Sequence, residues 1–239
     1  MTLWKSFGAS VRGPAHVAAG TPNQDAWASF HRGWGDGIVI ADGVGSKTFA
    51  DFGSAAACRA ALHAAHACRD HAEIDPAFLS DQIRASWLSR LAPLDPRDCA
   101  ATCLFAFRLG DGAIHLGMLG DGLAAAVTTA GAVLQLTEDK ADGFSNLTTA
   151  LSATASARDW RYLSIQAEVC AAVLLCTDGV ADDLVDVDGF AQGFLEAYGP
   201  LAPLSANREV RAMLAHWPTP RHSDDKTIAC LCRNGVADA

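Results

Sequence analysis

The sequence lacks the features that mark several specialised classes of protein. No apolar run approaches the ~18 residues of a membrane-spanning helix. No low-complexity tract, linker or internal repeat interrupts the 239 residues. Basic residues are in the minority, because 18 Lys and Arg face 27 Asp and Glu, for a formal net charge of -9. This balance argues against a nucleic-acid-binding surface and against binding to anionic membranes.

Cysteine spacing typical of zinc sites is also missing. The eight cysteines include no Cys-x-x-Cys pair, and Cys170, Cys176, Cys230 and Cys232 lie in apolar, strand-like runs. Free cysteine behaves as a small apolar residue in protein cores. We therefore expect reduced, buried cysteines rather than disulfides or a zinc site. The first seven residues contain no apolar signal-peptide region, so a cytoplasmic location is expected.

The sequence is rich in hydrophobic residues, which make up 50% of the chain. That is ample for one sizeable core, and we expect a single domain over residues 1–239. Short strands are predicted near both ends of the chain and between residues 101 and 136. Helices are predicted at 53–72, 75–91, 190–198 and 207–216. Strands before, between and after paired helices predict an α+β domain of two sheets with helices packed outside.

Two distant segments end an apolar strand with the same three residues. Residues 38–44 and 174–180 each run from such a strand into Asp-Gly-Val, at Asp42 and Asp178. A strand buried on both faces reads as a continuous apolar run, and the glycine after the acid allows close approach to the backbone. Two acids placed in this way suggest a shared site for Mg²⁺ or Mn²⁺, which prefer clustered oxygen ligands.

Asp-Gly by itself is a weak signal, because most such pairs form turns. Asp121 shares one feature with Asp42 and Asp178, since it also ends an apolar segment. The other Asp-Gly pairs are predicted to be turns, and they begin at Asp36, Asp111, Asp142 and Asp188.

Five motifs carry a family resemblance by their order, spacing and flanking strands. They are Asn23-Gln24-Asp25, Ala41-Asp42-Gly43-Val44-Gly45, Gly120-Asp121-Gly122, Thr177-Asp178-Gly179-Val180-Ala181-Asp182 and Asp224-Asp225-Lys226-Thr227. Together they resemble the metal-dependent serine/threonine protein phosphatases of the 2C type (the PPM family), in a compact bacterial form. The resemblance runs from about Gly8 to Leu231. It implies a four-layer α-β-β-α sandwich, in which helix pairs flank two antiparallel sheets.

The resemblance also implies a centre of two divalent ions, Mn²⁺ or Mg²⁺. Asp42 would bridge both ions, with the carbonyl of Gly43 as a further ligand. Asp25 would act on the same pair, largely through bound water, and Asp178 and Asp224 would hold the other ion. These four aspartates are the predicted catalytic set.

A third, weaker metal site is implied for Asp121 and Asp182, where bacterial members of the family bind a further ion. Asp182 follows Asp178 by four residues, so both can face one ion if a helical turn follows the strand.

The reaction implied is hydrolysis of phosphoserine or phosphothreonine in proteins by a hydroxide that bridges the two ions. Two ions ~3.5–4 Å apart lower the pKa of a shared water and stabilise in-line attack on phosphorus. The partners implied are phosphoproteins and a cognate serine/threonine kinase. We expect a monomer that binds neither nucleic acid nor membrane.

The chain departs from the family pattern at two positions. Gly20 stands where many members carry a phosphate-binding Arg, and Val44 stands where eukaryotic members carry a His. Arg12 and His16 are the candidate substitutes for the missing Arg. The departure at Gly20 also motivates an alternative function, a pseudophosphatase that binds phosphoproteins or a partner without turnover. A two-metal nuclease is a third hypothesis, disfavoured by the acidic charge balance.

Overall fold

The computed structural model describes residues 3–137, 149–218 and 223–234, in which strands and helices form a layered sandwich. The strands are β1 (Trp4–Val11), β2 (Asp25–Arg32), β3 (Gly35–Asp42), β4 (Cys103–Arg108), β5 (Ala113–Leu119), β6 (Leu123–Thr128), β7 (Val133–Leu136), β8 (Arg161–Gln166), β9 (Cys170–Cys176) and β10 (Lys226–Arg233). The helices are α1 (Pro14–Ala19), α2 (Ala50–Ala67), α3 (Pro76–Leu91), α4 (Asp178–Ala181), α5 (Val187–Tyr198) and α6 (Pro203–Ala215).

The strands form two five-stranded sheets. One has the order β1-β10-β9-β6-β7 and the other the order β2-β3-β4-β5-β8. All strand pairs within the two sheets are antiparallel. Strands β1 and β2 are edge strands, one in each sheet, and this arrangement leaves a groove along one side of the sandwich.

Three apolar layers hold the sandwich together, and strand β3 shows how one sequence serves two of them. Ile38 and Ile40 point into the layer between the sheets. Val39 and Ala41 point the other way, into the layer shared with α2 and α3. Because successive side chains of a strand point to opposite faces, a strand buried on both sides must be apolar throughout. The third layer lies between the other sheet and helices α5 and α6.

Helix α2 packs closely because its buried face consists of small residues. Gly53 lies against the carbonyl oxygen of Cys99, and its own carbonyl oxygen accepts a hydrogen bond of 3.0 Å from the indole nitrogen of Trp87 on α3. Asp75 caps the start of α3, since its side chain accepts a hydrogen bond from the amide of Ala77. The hydrogen bond from Trp87 joins α2 to α3, and the apolar layer that both helices share packs them on the sheet that carries β2 and β3.

The predicted α-β-β-α sandwich of two antiparallel sheets and flanking helix pairs is confirmed. All eight cysteines are free and buried, as expected from their apolar surroundings. In the described part of the chain, no helix is both long and apolar enough to cross a bilayer. The extent of one domain over residues 1–239 stays a prediction.

Two of the predicted Asp-Gly turns are wrong. Asp36 lies within β3, where its buried carboxylate pairs with Arg108, and Asp188 lies in the first turn of α5, which Asp186 caps. The predicted turn at Asp142 lies outside the described residues.

One helix was also missed by the sequence analysis. No helix is predicted between the first two strands, but Pro14 opens the short helix α1, which ends at Gly20 with φ of +71°. No residue of α1 is buried, so the segment has no apolar periodicity by which to detect it. Its amide at Ala15 donates to the carbonyl oxygen of Ser223, a contact that only the fold provides.

Candidate metal centre

The four predicted catalytic acids stand at strand ends that meet at one end of the sandwich. Asp42 is the last residue of β3, and Asp25, the first residue of β2, lies directly opposite it in the pairing register. In the other sheet, Asp178 follows the end of β9 and Asp224 precedes the start of β10. Because β9 and β10 are antiparallel neighbours, the end of one strand lies beside the start of the other.

A threonine joins the acids of the two sheets. The hydroxyl of Thr177 donates a hydrogen bond of 2.8 Å to Oδ2 of Asp25 and accepts one of 3.0 Å from the amide of Thr227. Residue 177 directly precedes Asp178 in sequence. The hydrogen bond therefore fixes Asp25 of one sheet relative to the strand end that carries Asp178 in the other.

The acids perturb one another's ionisation. Burial raises the pKa of Asp42 well above its usual range, and the negative charges of Asp25, Asp178 and Asp224 raise it further. Burial likewise raises the pKa of Asp25 to about 7, although hydrogen bonds from Thr227 and Thr177 oppose the shift. Carboxylates that crowd in this way cannot all remain ionised at low cost without a cation among them.

The donor set fits a hard divalent cation. Oδ1 of Asp25 is buried and has no hydrogen-bond partner among the described residues. The neighbouring carboxyl of Asp42 satisfies this oxygen only when it is protonated, because an ionised carboxylate only accepts hydrogen bonds. An ion bound between them would satisfy this oxygen and relieve the repulsion, and oxygen ligands of this kind suit Mg²⁺ or Mn²⁺.

The backbone at Asp42 and Gly43 is fixed by contacts from both sides. Thr102 accepts a 2.9 Å hydrogen bond from the amide of Asp42 through its hydroxyl, and its own amide donates to the Asp42 carbonyl at 2.7 Å. The amide of Gly43 donates to the Gln24 carbonyl at 3.0 Å. A Cβ at position 43 would lie 2.3 Å from the carbonyl oxygen of Ala50, so only glycine fits here.

The two acids predicted for a third ion line one cleft. Asp121 and Asp182 border a cavity of about 370 Å³. Asp121 lies in a turn between Gly120 and Gly122, whose φ angles are +101° and +108°. The predicted helical turn after β9 is present as α4, and the amide of Asp182 donates to the carbonyl of Asp178 at 2.9 Å.

The two candidates for phosphate binding lie in different surroundings. Arg12 is exposed, and its guanidinium donates a 3.1 Å hydrogen bond to the carbonyl of Thr21. Nδ1 of His16 lies 2.8 Å from Oδ2 of Asp225 and 3.6 Å from Oδ1 of Asp224. His16 thus contacts acids of the centre itself. A role in phosphate binding stays a prediction for both residues.

Asp225 is an organising residue that the sequence analysis missed. Its side chain is only 1% exposed and accepts backbone hydrogen bonds of 2.7 Å from Gly13 and 2.6 Å from Gln24. Among the described residues, Asp225 also forms a group with His16 and Asp224 whose potential ligand atoms all lie within 4.8 Å of one another. Asp225 therefore ties the segment between β1 and β2 to the start of β10.

Lys226 is a second missed residue, a buried cation among these acids. Its ammonium group donates a 2.9 Å hydrogen bond to the backbone carbonyl of Asp224. Burial lowers the pKa of Lys226, while the nearby carboxylates of Asp183 and Asp224 oppose that shift. Both missed residues belong to the motif at 224–227, from which the sequence analysis took only the first acid as a ligand.

Comparison with known proteins decides the family. The family model described as protein phosphatase 2C matches residues 12–217. The chain belongs to the protein phosphatase 2C family. As a member it is a protein phosphatase, and the predicted class, a metal-dependent protein phosphatase, is confirmed. No curated protein matches the sequence.

Solved structures of phosphatases share the fold of this protein phosphatase 2C member. A bacterial serine phosphatase has a TM-score of 0.70 and 15% identity, over 98% of this chain and 98% of that chain. The catalytic domain of serine threonine protein phosphatase PstP, in complex with two manganese ions, has a TM-score of 0.64 and 18% identity, over 98% and 100%. RsbX in complex with magnesium has a TM-score of 0.62 and 12% identity, over 96% and 95%.

Proposed function

We propose that this protein phosphatase hydrolyses phosphoserine and phosphothreonine in proteins at a centre of two divalent ions. The observation that carries the proposal is the meeting of Asp25 and Asp42 from one sheet with the strand ends that carry Asp178 and Asp224 in the other. The charges of these acids act on one another, which raises the pKa of Asp42 beyond the effect of burial. These acids would hold Mn²⁺ or Mg²⁺ together with the carbonyl of Gly43. When bound, such ions lower the pKa of a shared water and stabilise negative charge on the phosphate.

The chain's own residues position this centre. Thr177 holds the carboxylate of Asp25, and Thr102 holds the backbone of Asp42. Asp225 ties the segment that precedes Asp25 to the strand that follows Asp224. A centre held by these acids would therefore be fixed before any substrate binds, as catalysis by preorganised charge requires.

Burial of the cysteines supports metal-assisted hydrolysis over a thiol nucleophile. All eight thiols are buried, and burial raises the pKa of Cys103 and Cys176 far above the range in which a thiolate forms. A phosphoprotein needs direct access to a nucleophilic thiolate in any thiol-based mechanism.

We also propose a third metal site and a set of partners. Asp121 and Asp182 would hold a third, weaker ion in the cleft that they share. The substrates would be phosphoproteins produced by a cognate serine/threonine kinase. The protein would act as a monomer in the cytoplasm.

The test is release of phosphate from p-nitrophenyl phosphate and from phosphoserine and phosphothreonine peptides, with Mn²⁺, with Mg²⁺ and with excess chelator. We expect metal-dependent release that Asp42→Asn and Asp178→Asn each abolish. Asp188→Asn is the matched control, since Asp188 is an exposed Asp-Gly residue in α5. Undiminished activity in excess chelator would contradict the proposal.

The alternative function, a phosphoprotein-binding module without turnover, rests on Gly20, which stands where many relatives carry a phosphate-binding Arg. A folded, Mn²⁺-loaded protein that binds phosphopeptides but hydrolyses neither class of substrate would favour it.

A further inference from the structure

A groove of about 650 Å³ runs along the open side of the sandwich, between β1, β2 and α6. Asp25 is one of the residues that line this groove, so the groove adjoins the candidate metal centre. On the helix side it is bordered by Arg208 and Arg211. Neither arginine was singled out by the sequence, because each stands in an ordinary polar stretch of a surface helix.

The contacts of α6 with β1 set the direction of the groove. The side-chain oxygen of Asn207 accepts a 2.8 Å hydrogen bond from the amide of Gly8, and Arg211 donates one of 3.4 Å to the carbonyl of Ser10. Ser10 pairs with Thr227, three residues after Asp224. Helix α6 therefore runs along β1 towards the acidic centre, and Arg211 lies nearer to that centre than Arg208.

Polar side chains between β1 and β2 connect the groove to the centre. The side-chain amide of Asn23 and the hydroxyl of Thr227 each donate a 2.7 Å hydrogen bond to the hydroxyl of Ser10. The amide of Thr227 in turn donates to Thr177, which holds Asp25. A continuous chain of hydrogen bonds thus links Ser10 and Asn23 in the groove lining to a predicted metal ligand.

The exposed charges on the helix side of the groove are positive and suit an anionic ligand. Arg208 and Arg211 are three residues apart, so they lie on the same face of the helix. Arg208 pairs with the exposed Glu209 at 3.1 Å, and exposed pairs of this kind are weak and easily exchanged for another carboxylate. Two exposed guanidinium groups beside a groove are notable in a chain whose net charge is -9.

We propose that this groove binds a carboxylate-rich segment of the protein substrate while the phosphorylated residue occupies the adjoining centre. Arg208 and Arg211 bind acidic side chains of the segment, and Leu204, 85% exposed in the same lining, contacts an apolar one. The identity of the segment as part of a phosphoprotein rests on the proposed function. The selectivity of the groove for acidic peptides does not.

The first measurement is fluorescence anisotropy of a labelled, unphosphorylated Glu-rich peptide with the Mg²⁺-loaded protein. This peptide cannot be hydrolysed, so binding is read without turnover. We expect R208E/R211E to weaken binding about tenfold, added salt to weaken the wild type, and a Gln-substituted peptide to show neither effect. Arg90→Glu on α3 is the matched control, because it reverses an exposed charge outside the groove. Equal binding of the Glu-rich peptide by wild type and R208E/R211E would overturn the inference.

The second measurement separates this inference from the proposed function. It compares kcat/KM for phosphopeptides whose flanking residues are Glu or Gln. We expect the wild type to favour the Glu-flanked peptide about tenfold and R208E/R211E to show no preference. Hydrolysis of p-nitrophenyl phosphate should be the same in both proteins. If hydrolysis depends neither on the flanking residues nor on the two arginines, the inference about the groove is wrong and the proposed phosphatase function still stands. If peptide binding depends on the two arginines but the protein hydrolyses no phosphoester, the inference about the groove stands and the proposed function is wrong.

Discussion

The hydroxyl of Thr177, just beyond the end of β9, donates a 2.8 Å hydrogen bond to Oδ2 of Asp25, the first residue of β2 in the opposite sheet. The bond crosses the space between the sheets at the end where the predicted metal ligands gather. It leaves Oδ1 of Asp25 buried without a hydrogen-bond partner among the described residues. One oxygen of the carboxylate is thus fixed, and the other is available for an ion.

Thr177→Val is expected to weaken metal binding about tenfold, because groups that orient a ligand typically contribute that much to metal affinity. The substitution keeps the shape of the side chain and removes only the hydroxyl. Titration with Mn²⁺, followed by thermal shift and by phosphate release, measures the effect. Thr177→Ser keeps the hydroxyl and should behave like the wild type. If Thr177→Val binds Mn²⁺ as tightly as the wild type, the hydroxyl has no such role.

Asp42→Asn is expected to stabilise the metal-free protein by about 1–2 kcal/mol, since it removes a charge that Asp25, Asp178 and Asp224 repel. Mn²⁺ should raise the Tm of the wild type, because a ligand at ~100 times its Kd adds about 2.7 kcal/mol, and should not raise that of the variant. Thermal unfolding with chelator and with Mn²⁺ checks both effects. Destabilisation of the metal-free variant would show that Asp42 is not under repulsion.

Asp225→Ala is expected to lower the free energy of unfolding by about 3 kcal/mol, because it leaves the buried amides of Gly13 and Gln24 without an acceptor. Asp225→Asn keeps one acceptor oxygen and should cost less. Asp75→Ala is the control, since it also removes an acceptor of a backbone amide but on the surface, where such a cap contributes ~1 kcal/mol. Urea unfolding of the three variants measures the differences. Similar losses for both alanine variants would contradict the role of Asp225.

Gly53→Ala is expected to destabilise the protein by more than ~2 kcal/mol, because its Cβ would lie 1.8 Å from the carbonyl oxygen of Cys99 and push α2 away. Gly193→Ala is the matched helix control. No heavy atom lies within 4 Å of a Cβ at position 193, so this change should stabilise α5 by roughly 0.5–1 kcal/mol. Thermal unfolding of both variants should therefore shift the Tm in opposite directions.

Tyr162 is expected to titrate at unusually high pH. Burial raises its pKa to about 12, and its hydroxyl donates a 3.0 Å hydrogen bond to the carbonyl of Pro76. An unfolded tyrosine has a pKa of about 10, so the folded state loses stability as the pH rises from ~10 through ~12, and not below that range. Ultraviolet absorbance titration checks this pKa. The high-pH step should disappear in Tyr162→Phe, and a persistent step would assign it to another group.

Much of the fold could be predicted from local patterns. The unbroken apolar run before Asp42 predicts a strand buried on both faces, and β3 indeed serves two apolar layers. Asp75-Pro76 predicts a helix start, and Asp75 caps α3. Such patterns are readable because a neighbour in sequence is also a neighbour in the strand or helix. Helix α1 escaped detection because none of its residues is buried.

Some residues of the candidate site could likewise be predicted from local sequence, whereas others depend on contacts with distant residues. Asp42 and Asp178 are recognisable from the strands that precede them, and the order of five motifs is enough to indicate the family. Thr177 and Asp225 are not recognisable as positioning residues, since each acts on a residue far away in sequence. The groove beside α6 is likewise invisible in sequence, because its lining comes from β1, β2 and α6.

The sequence alone determined which residues are acids at strand ends, which segments must be buried and which family the chain resembles, because these depend on local composition and order. The tertiary structure decided which of these acids lie near one another, which side chains orient them and where Arg208 and Arg211 stand relative to them. Those relationships depend on how β1, β9 and β10 pair and on how the two sheets face each other, and such long-range contacts are set only when the whole chain packs.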